Sequence, residues 1–203
     1  MSGWRVVGTT AELPTAAYGQ RTLLWWGTVA FMVIEGWTLA VCAGAYLYLR
    51  AHVGDWPPAE TPLPGLIMSS TNVALMLASL GPVWWSARAA RRLDVLRARL
   101  GLALCSICGI GFLLLRWFEF LSVNTPWRGS GYGSAVWAVL AFHTSLLVVQ
   151  AAEAIGLTAI LLRRPPPVRY LAAVVDFALY WTFLVLLWLP LYLMIDVLPH
   201  FGR

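Results

Sequence analysis

The chain has 203 residues, of which 60% are hydrophobic and only 11% are charged, a balance that excludes a soluble globular domain. Its formal charge of +5 is the balance of 14 basic residues, all of them arginine, and 9 acidic residues. The positions of the arginines show whether this charge reflects nucleic-acid binding or membrane topology. Three cysteines, Cys42, Cys105 and Cys108, lie inside apolar runs, so neither a disulfide framework nor a secreted scaffold is expected.

Five apolar runs follow one another along the chain, and short polar, proline-rich or arginine-rich turns separate them. Each run is long enough for a helix that crosses the hydrocarbon core, which takes about 20 residues. Backbone polar groups in lipid must be satisfied within their own segment, so helices are the expected structure. The sequence predicts an all-α integral membrane bundle of five transmembrane helices, at about residues 22–50, 64–87, 97–122, 133–162 and 171–197.

No stretch outside the runs is long enough for a soluble domain, so we expect a single transmembrane domain over residues 21–198. Residues 1–20 are then a cytoplasmic N-terminal segment, and residues 199–203 are an external C-terminal tail. The positive-inside rule gives this orientation, because ten arginines fall on the side of the N-terminus and three on the other side. Since topology explains the arginines, we expect membrane lipids, and not nucleic acid, as partners.

Glu35 is the one charged residue of the stretch 23–49 and lies close to its middle. A carboxylate at that depth costs at least ~2.5 kcal/mol on insertion scales, so we expect it to face protein and to be hydrogen-bonded, neutral or both. A structural role as a hydrogen-bonding carboxyl and a functional role in proton relay or ion binding both stay open. On a different face of this helix, Gly36, Ala40 and Gly44 form a row of small residues where another helix could approach closely.

A histidine in the fourth run is the candidate partner for this carboxyl group. His143 lies about ten residues in from the external end of that run, at a depth similar to that of Glu35. One hydrogen bond between the two would satisfy two costly buried groups, so we predict a contact from His143 to Glu35. Replacement of Glu35 by Gln should then leave assembly nearly intact, whereas replacement by Ala should weaken it.

Other ionisable residues fall inside the third, fourth and fifth runs. Arg116 and Glu119 are three positions apart, which places them on one helical face and predicts an internal ion pair, with snorkelling of Arg116 toward the external end as a further option. Glu153 and Asp176 lie toward the cytoplasmic ends of their runs. Three nearby arginines could neutralise them: Arg163, Arg164 and Arg169.

The sequence contains no catalytic or metal-binding constellation. A CSIC motif at Cys105 and Cys108 lacks the second ligand pair that a zinc or iron–sulfur site requires, so packing is its expected role. There is no phosphate-binding glycine loop, no HExxH motif and no nucleophile beside a candidate base. We therefore expect this chain to contain no catalytic residue and to bind no metal or cofactor of its own.

Short motifs on successive runs carry a resemblance to a known family. They are FMVIEG around Glu35, DWPP followed by SSTNVALMLAS, FLLLRWFEF, AFHTSLLV around His143, and YWTF starting at Tyr180. In this order they resemble motifs of subunit III of the haem-copper oxidases, the family of cytochrome c oxidases and quinol oxidases. The chain departs from the family's Ser, Gln, Tyr, His, His and Asp at six positions: Ile34, Arg116, Phe120, Leu146, Thr182 and Val185.

The resemblance implies a divergent member of the short, five-helix bacterial type, without the two N-terminal helices of longer members. In those longer members the two helices form one wall of a cleft that holds phospholipid. The resemblance further implies a non-redox subunit in the bacterial cytoplasmic membrane, with catalytic subunit I and subunit II as partners and with haem and copper in the partner. Such a subunit binds lipid, supports proton uptake and stabilises the complex during reduction of O2 to water.

Two other classes of function stay open at this point. A small transporter or proton-conducting protein would need a continuous wet line of polar residues, and the lack of an evident internal repeat argues against a transporter. The residues of such a path would be Glu35, His143, Glu153 and Asp176. The other class is an oxidase assembly factor with no place in the finished enzyme. The electron donor, cytochrome c or quinol, and a relation to nitric oxide reductase are also open.

Overall fold

Five long helices account for most of the computed structural model, which describes residues 23–163 and 170–201. A π-helical turn at Leu193–Val197 and a 3₁₀ turn at Leu198–Phe201 continue the last helix. All five helices are long and apolar enough to cross a membrane, so the prediction of an all-helical chain with five such helices is confirmed. The helices are α1 (Leu23–His52), α2 (Leu66–Arg91), α3 (Val95–Leu121), α4 (Gly131–Leu161) and α5 (Leu171–Tyr192).

A capping residue fixes the tight turn between α2 and α3. Oδ1 of Asp94 accepts a hydrogen bond from the backbone N–H of Arg97 at 3.1 Å and so caps the N-terminus of α3. Leu93, just before the cap, adopts a left-handed conformation with a φ of 58°. Because three residues suffice for this turn, both helices extend further toward it than the sequence predicts.

The short connections make consecutive helices antiparallel and give the bundle two distinct ends. The connections 53–65 and 122–130 lie at one end, which we call the loop end. The α2–α3 turn lies at the opposite end, which we call the arginine end. Six described arginines lie there: Arg88, Arg91, Arg92, Arg97, Arg99 and Arg163. The orientation of the two ends in a membrane stays a prediction.

Aromatic packing holds the 53–65 connection against the helices at the loop end. Trp56 is buried, and its ring lies edge-on to Tyr46 of α1 at 5.2 Å and to Tyr132 of α4 at 5.1 Å between centroids. Asn124 donates a hydrogen bond to the Pro62 carbonyl at 2.6 Å, which joins the two connections. The loop end is therefore a packed surface.

The core of the bundle is centred on α5, whereas α1 lies at its periphery. The largest side chains of α5, Trp181 and Trp188, are fully buried. Of the residues in α1, only Leu39 and Tyr46 are buried. The described residues leave most apolar side chains of α1 uncovered.

Two neighbouring helices approach each other closely at Gly101 of α3. A Cβ atom at this position would lie 2.6 Å from the Cβ of Ser86 on α2 and 3.0 Å from the Ser86 backbone. Contacts this short do not occur between real side chains, so the space between α2 and α3 accepts glycine here and nothing larger without a shift.

Replacement of Gly101 by Ala should destabilise the protein, because the new methyl group would push α3 away from Ser86. Overpacking of this kind costs about 1–3 kcal/mol, so the midpoint of thermal unfolding in detergent should fall. Gly156→Ala on α4 is the matched control, since a Cβ atom there would meet nothing within 4 Å. That variant should unfold at the wild-type midpoint or above, because Ala favours a helix over Gly. Equal midpoints for the two variants would contradict the close contact.

Candidate functional site

Glu35 of α1 is hydrogen-bonded to Tyr180 of α5. The Tyr180 hydroxyl donates to Oε2 of Glu35, which joins residues 145 positions apart in the chain. Glu35 is half-buried, and this bond satisfies a carboxyl group that would otherwise face lipid. The expectation that Glu35 faces protein and is hydrogen-bonded is confirmed.

His143 is not the partner of Glu35, so that prediction is wrong. The imidazole is fully buried, its Nε2 lies 3.2 Å from the carbonyl oxygen of Leu184, and its ring stacks on Trp188 with centroids 4.5 Å apart. The prediction rested on depth along the helix. Depth does not fix the direction in which a side chain points around the helix, and the face of α4 that carries His143 packs on the buried side of α5.

A cavity of about 190 Å³ lies between α1, α4 and α5 and is lined by three carboxyl groups. We call it the acidic pocket. Glu153 of α4 and Asp176 of α5 thus share one cavity with Glu35, a grouping that the sequence analysis considered only as part of a possible proton path. The lining residues are Thr28, Phe31, Glu35, Val149, Gln150, Glu153, Asp176, Phe177 and Tyr180.

Gln150 is a buried polar residue of this pocket that the sequence analysis missed. Its side chain is 1% exposed, and its Nε2 donates to the Phe177 carbonyl at 3.4 Å. Its Oε1 has no hydrogen-bond partner in the part of the chain that the structure describes. A single uncharged amide in an apolar run gives little signal, since its importance depends on which neighbours the fold brings to it.

The neutralisation of Glu153 and Asp176 by arginine stays a prediction. Arg163 is exposed at the arginine end. Arg164 and Arg169 lie outside the described residues.

A second polar site centres on Arg116 of α3. Its guanidinium is fully buried, its Nη1 lies 2.7 Å from Oε2 of Glu119, and its Cζ lies 4.1 Å from the centre of the Trp188 ring. Asn72 of α2 donates from Nδ2 to the same Glu119 oxygen at 3.2 Å. We call these four residues the arginine cluster. The predicted ion pair is confirmed, but snorkelling is wrong, because Glu119 and Trp188 hold the guanidinium inside the bundle.

The arginine cluster continues toward the loop end through Ser69 and Asp196. The Ser69 hydroxyl donates to Oδ1 of Asp196 at 3.0 Å. Asp196 is partly buried. Asp196 falls inside the predicted fifth run, so the search for acids in apolar runs that found Asp176 could have found it as well.

Among the described helices, the row of small residues on α1 meets another helix closely at Gly36 and not at Ala40 or Gly44. A Cβ atom at Gly36 would meet Phe183 at 3.3 Å, whereas one at Gly44 would meet nothing within 4 Å, and Ala40 is exposed. At Ala40 and Gly44 the small side chains leave space that no described helix fills. Gly36 and Ala40 instead line an apolar cavity of about 510 Å³ between α1 and α5, which we call the apolar groove.

Residues 23–163 and 170–201 contain no group of three or more His, Cys, Asp or Glu side chains arranged to hold a metal ion. Cys105 and Cys108 are free thiols, and Cys105 is buried in the hydrophobic core. Cys105 therefore has the packing role that was expected for it.

Comparison with known proteins gives a distant similarity over most of the chain. No protein-family model matches the sequence. The chain is 24% identical over 190 residues to a protein named cytochrome c oxidase subunit 3 from Synechocystis sp., and the match covers 89% of this chain and 78% of that protein. The helical membrane architecture is consistent with this similarity.

A double-mutant cycle should show coupling between Glu35 and Tyr180. Glu35→Ala and Tyr180→Phe remove the two ends of one hydrogen bond, so their effects on the free energy of unfolding should depart from additivity by about 0.5–3 kcal/mol. The control cycle pairs Glu35→Ala with His143→Ala, whose effects should add. Denaturation in a mild detergent measures both cycles. Coupling of Glu35 to His143 in place of Tyr180 would show that the contact is misassigned.

Proposed function

We propose that the chain is subunit III of a respiratory haem-copper oxidase, a non-redox core subunit that packs on the catalytic subunit. The observation that carries the proposal is the distant similarity to a cytochrome c oxidase subunit 3, which extends over 89% of the chain. Subunit I and subunit II are then the expected partner chains. Reduction of O2 to water takes place in the partner, and this chain supports it.

Contacts between the motif residues support the proposal. Glu35 of FMVIEG is bonded to Tyr180 of YWTF, which joins the first and the last of the motifs. Asn72 of SSTNVALMLAS is bonded to Glu119 of FLLLRWFEF. Residues from four motifs therefore meet in pairs across the bundle, as expected of a shared structural role in holding the helices together.

The three histidines of the chain are too few for the haem and copper ligands of a terminal oxidase. His143 is engaged with Leu184 and Trp188 in the core. His52 and His200 lie near helix ends, each with Nδ1 within 3.0 Å of a carbonyl oxygen four residues earlier. The redox centres accordingly belong to the partner chain.

The acidic pocket is the part of the molecule suited to a role in proton uptake. Three carboxyl groups and a tyrosine hydroxyl line one cavity between α1, α4 and α5. Carboxyl groups at membrane depth are typical of proton relays. In the proposed complex this pocket buffers protons beside the catalytic subunit, with Glu35 held in place by Tyr180.

The apolar groove is the part suited to lipid. It has a volume of about 510 Å³ and is lined by apolar side chains of α1 and α5 such as Leu39, Leu187 and Leu191. An acyl chain fits the chemistry of this lining, and α1 is the helix least covered by the described residues. A phospholipid held here would cover the space that small residues leave open.

The distribution of arginines supports a multi-pass arrangement in the bacterial cytoplasmic membrane with the arginine end inside. Arg88, Arg91 and Arg92 end α2, and Arg97 and Arg99 begin α3. Such clusters next to short turns favour the cytoplasmic side.

A proton-conducting protein or transporter is a less suitable function for this arrangement. The acidic pocket holds Glu35, Glu153 and Asp176. His143 lies apart from it, stacked on Trp188 beside the arginine cluster. The described residues thus place the four groups of such a path in two sites and not along one line.

Deletion of the gene tests the proposed function. Membranes that lack the chain should retain oxidase activity, because the redox centres lie elsewhere, but proton uptake should slow and the enzyme should inactivate sooner during turnover. Oxygen consumption by the membranes, followed over repeated turnovers, measures this loss. A plasmid copy of the wild-type gene should restore the lifetime, and a Glu60→Gln copy, altered at an exposed residue of the 53–65 connection, should restore it equally. Unchanged oxidase content, proton uptake and turnover lifetime in the deletion strain would defeat the proposal.

A further inference from the structure

Four oxygen-bearing side chains from separate segments line one small cavity at the loop end. Ser69 belongs to the first turn of α2, and Ser122 caps the C-terminus of α3. Asn124 lies in the 122–130 connection, and Asp196 lies in the π-helical turn after α5. The cavity has a volume of about 30 Å³, which is room for a particle of the size of a water molecule. Gly65 and Ser122 are exposed, so the cavity reaches the surface of the loop end.

The two serine hydroxyls of this cavity give their hydrogen atoms to other groups. Ser69 donates to Oδ1 of Asp196 at 3.0 Å, and Ser122 donates to the backbone carbonyl of Glu119 at 3.2 Å. A hydroxyl has one hydrogen atom and two lone pairs, so each serine oxygen keeps lone pairs for a further partner. Both serines can therefore act toward the cavity as acceptors alone.

The amide of Asn124 is held in the same way. Its Nδ2 donates to the Pro62 carbonyl at 2.6 Å and to the Tyr132 hydroxyl at 3.4 Å. Both amide hydrogen atoms are thus engaged, and Oδ1 accepts no hydrogen bond from a described residue. Because these bonds join the two connections of the loop end, the position of the Asn124 side chain is fixed.

Asp196 has no cationic partner among the described residues. Of the two ion pairs that they form, one lies at the arginine end and the other joins Arg116 to Glu119. Ser69 is the one described donor to the Asp196 carboxyl group, which leaves Oδ2 without a hydrogen bond from the described part of the chain. The uncapped N-terminus of α2 lies beside Ser69 and carries partial positive charge, but none of its N–H groups donates to this carboxyl group. A partly buried carboxylate in this setting favours a bound cation.

We propose that Asp196, Asn124, Ser69 and Ser122 form a calcium site that ties the loop end together. Side-chain oxygens from a carboxylate, an amide and two hydroxyls are the ligands of a hard cation. Ca²⁺ accepts six to eight oxygens in irregular geometry, whereas Mg²⁺ demands a near-ideal octahedron. Ligands from four separate segments suit the irregular shell, and water completes it. The bound ion joins α2 and the 122–130 connection to the end of α5.

The site differs from those that the sequence analysis considered, which expected no metal to be bound by this chain. Its ligands include one carboxyl group, and the other ligands are common polar residues that the fold brings together. A single carboxylate gives weak binding, with a dissociation constant of about 10⁻⁴–10⁻³ M as in extracellular calcium modules. The predicted orientation places the loop end outside the cytoplasm, which agrees with this range. The inference is independent of the proposed oxidase role, because every side-chain ligand belongs to this chain.

Calcium binding to the full chain, in mild detergent and with any subunits that copurify, tests the site. After treatment with a chelator, equilibrium binding of radioactive calcium counts the bound ions. Asp196→Asn keeps the shape of the side chain and removes its charge, so it should bind one calcium ion fewer per chain than the wild type. Calcium at about ten times its dissociation constant should raise the midpoint of thermal unfolding of the wild type by about 3–6 °C and leave that of Asp196→Asn unchanged. Asp55→Asn, at an exposed residue of the 53–65 connection, is the matched control and should behave as the wild type.

A comparison of ions separates a calcium site from general screening of charge. Sodium and magnesium at equal ionic strength should raise the midpoint less than calcium does, and an equal rise would overturn the proposal. Equal calcium binding by the wild type and Asp196→Asn would overturn it as well. Should Asp196→Asn fail to fold, Ser122→Asp decides, because it adds a second carboxyl group to the cavity and should lower the dissociation constant for calcium. An unchanged constant in that variant would contradict the site.

Discussion

The buried ion pair of Arg116 and Glu119 is the interaction on which the packing of this bundle depends. A charge in the interior of a membrane costs at least ~2.5–3.5 kcal/mol on insertion scales, and an ion pair offsets this cost only with good geometry and further polar contacts. Here Asn72 of α2 donates to Glu119 and the Trp188 ring of α5 lies against the guanidinium, whose nitrogens have no hydrogen-bond partner among the described residues. One pair of side chains on α3 therefore fixes how α2, α3 and α5 fit together.

α5 and the π-helical turn that continues it link this cluster with the Glu35 site. Tyr180, Trp188 and Asp196 follow one another at intervals of eight residues, and each meets a polar group of another helix: Glu35, Arg116 and Ser69, respectively. The peripheral helix α1 is held to α5 by Glu35 on its polar side. Its apolar surface is left for lipid or a partner, which is the arrangement expected of a helix at the edge of a subunit.

Local geometry explains which features the sequence could predict. The Arg116–Glu119 pair was predictable because side chains three residues apart on one helix are neighbours on its surface. The contact between Glu35 and Tyr180 was not, because it joins residues 145 positions apart and depends on the rotation of α1 and α5 about their axes. The sequence shows that Gly36, Ala40 and Gly44 form a row of small residues on one face of α1. A pattern within one helix does not show whether another helix packs against that row.

The proposed function places all redox chemistry in another chain, and the central claim is that this bundle binds that chain. Purification through a tag on this protein in mild detergent, followed by a reduced-minus-oxidised absorption spectrum, tests the claim directly. The account predicts that haem elutes with the tagged chain in stoichiometric amount and separates from it when the subunits are dissociated. A monodisperse, haem-free protein isolated from membranes that contain active oxidase would contradict it.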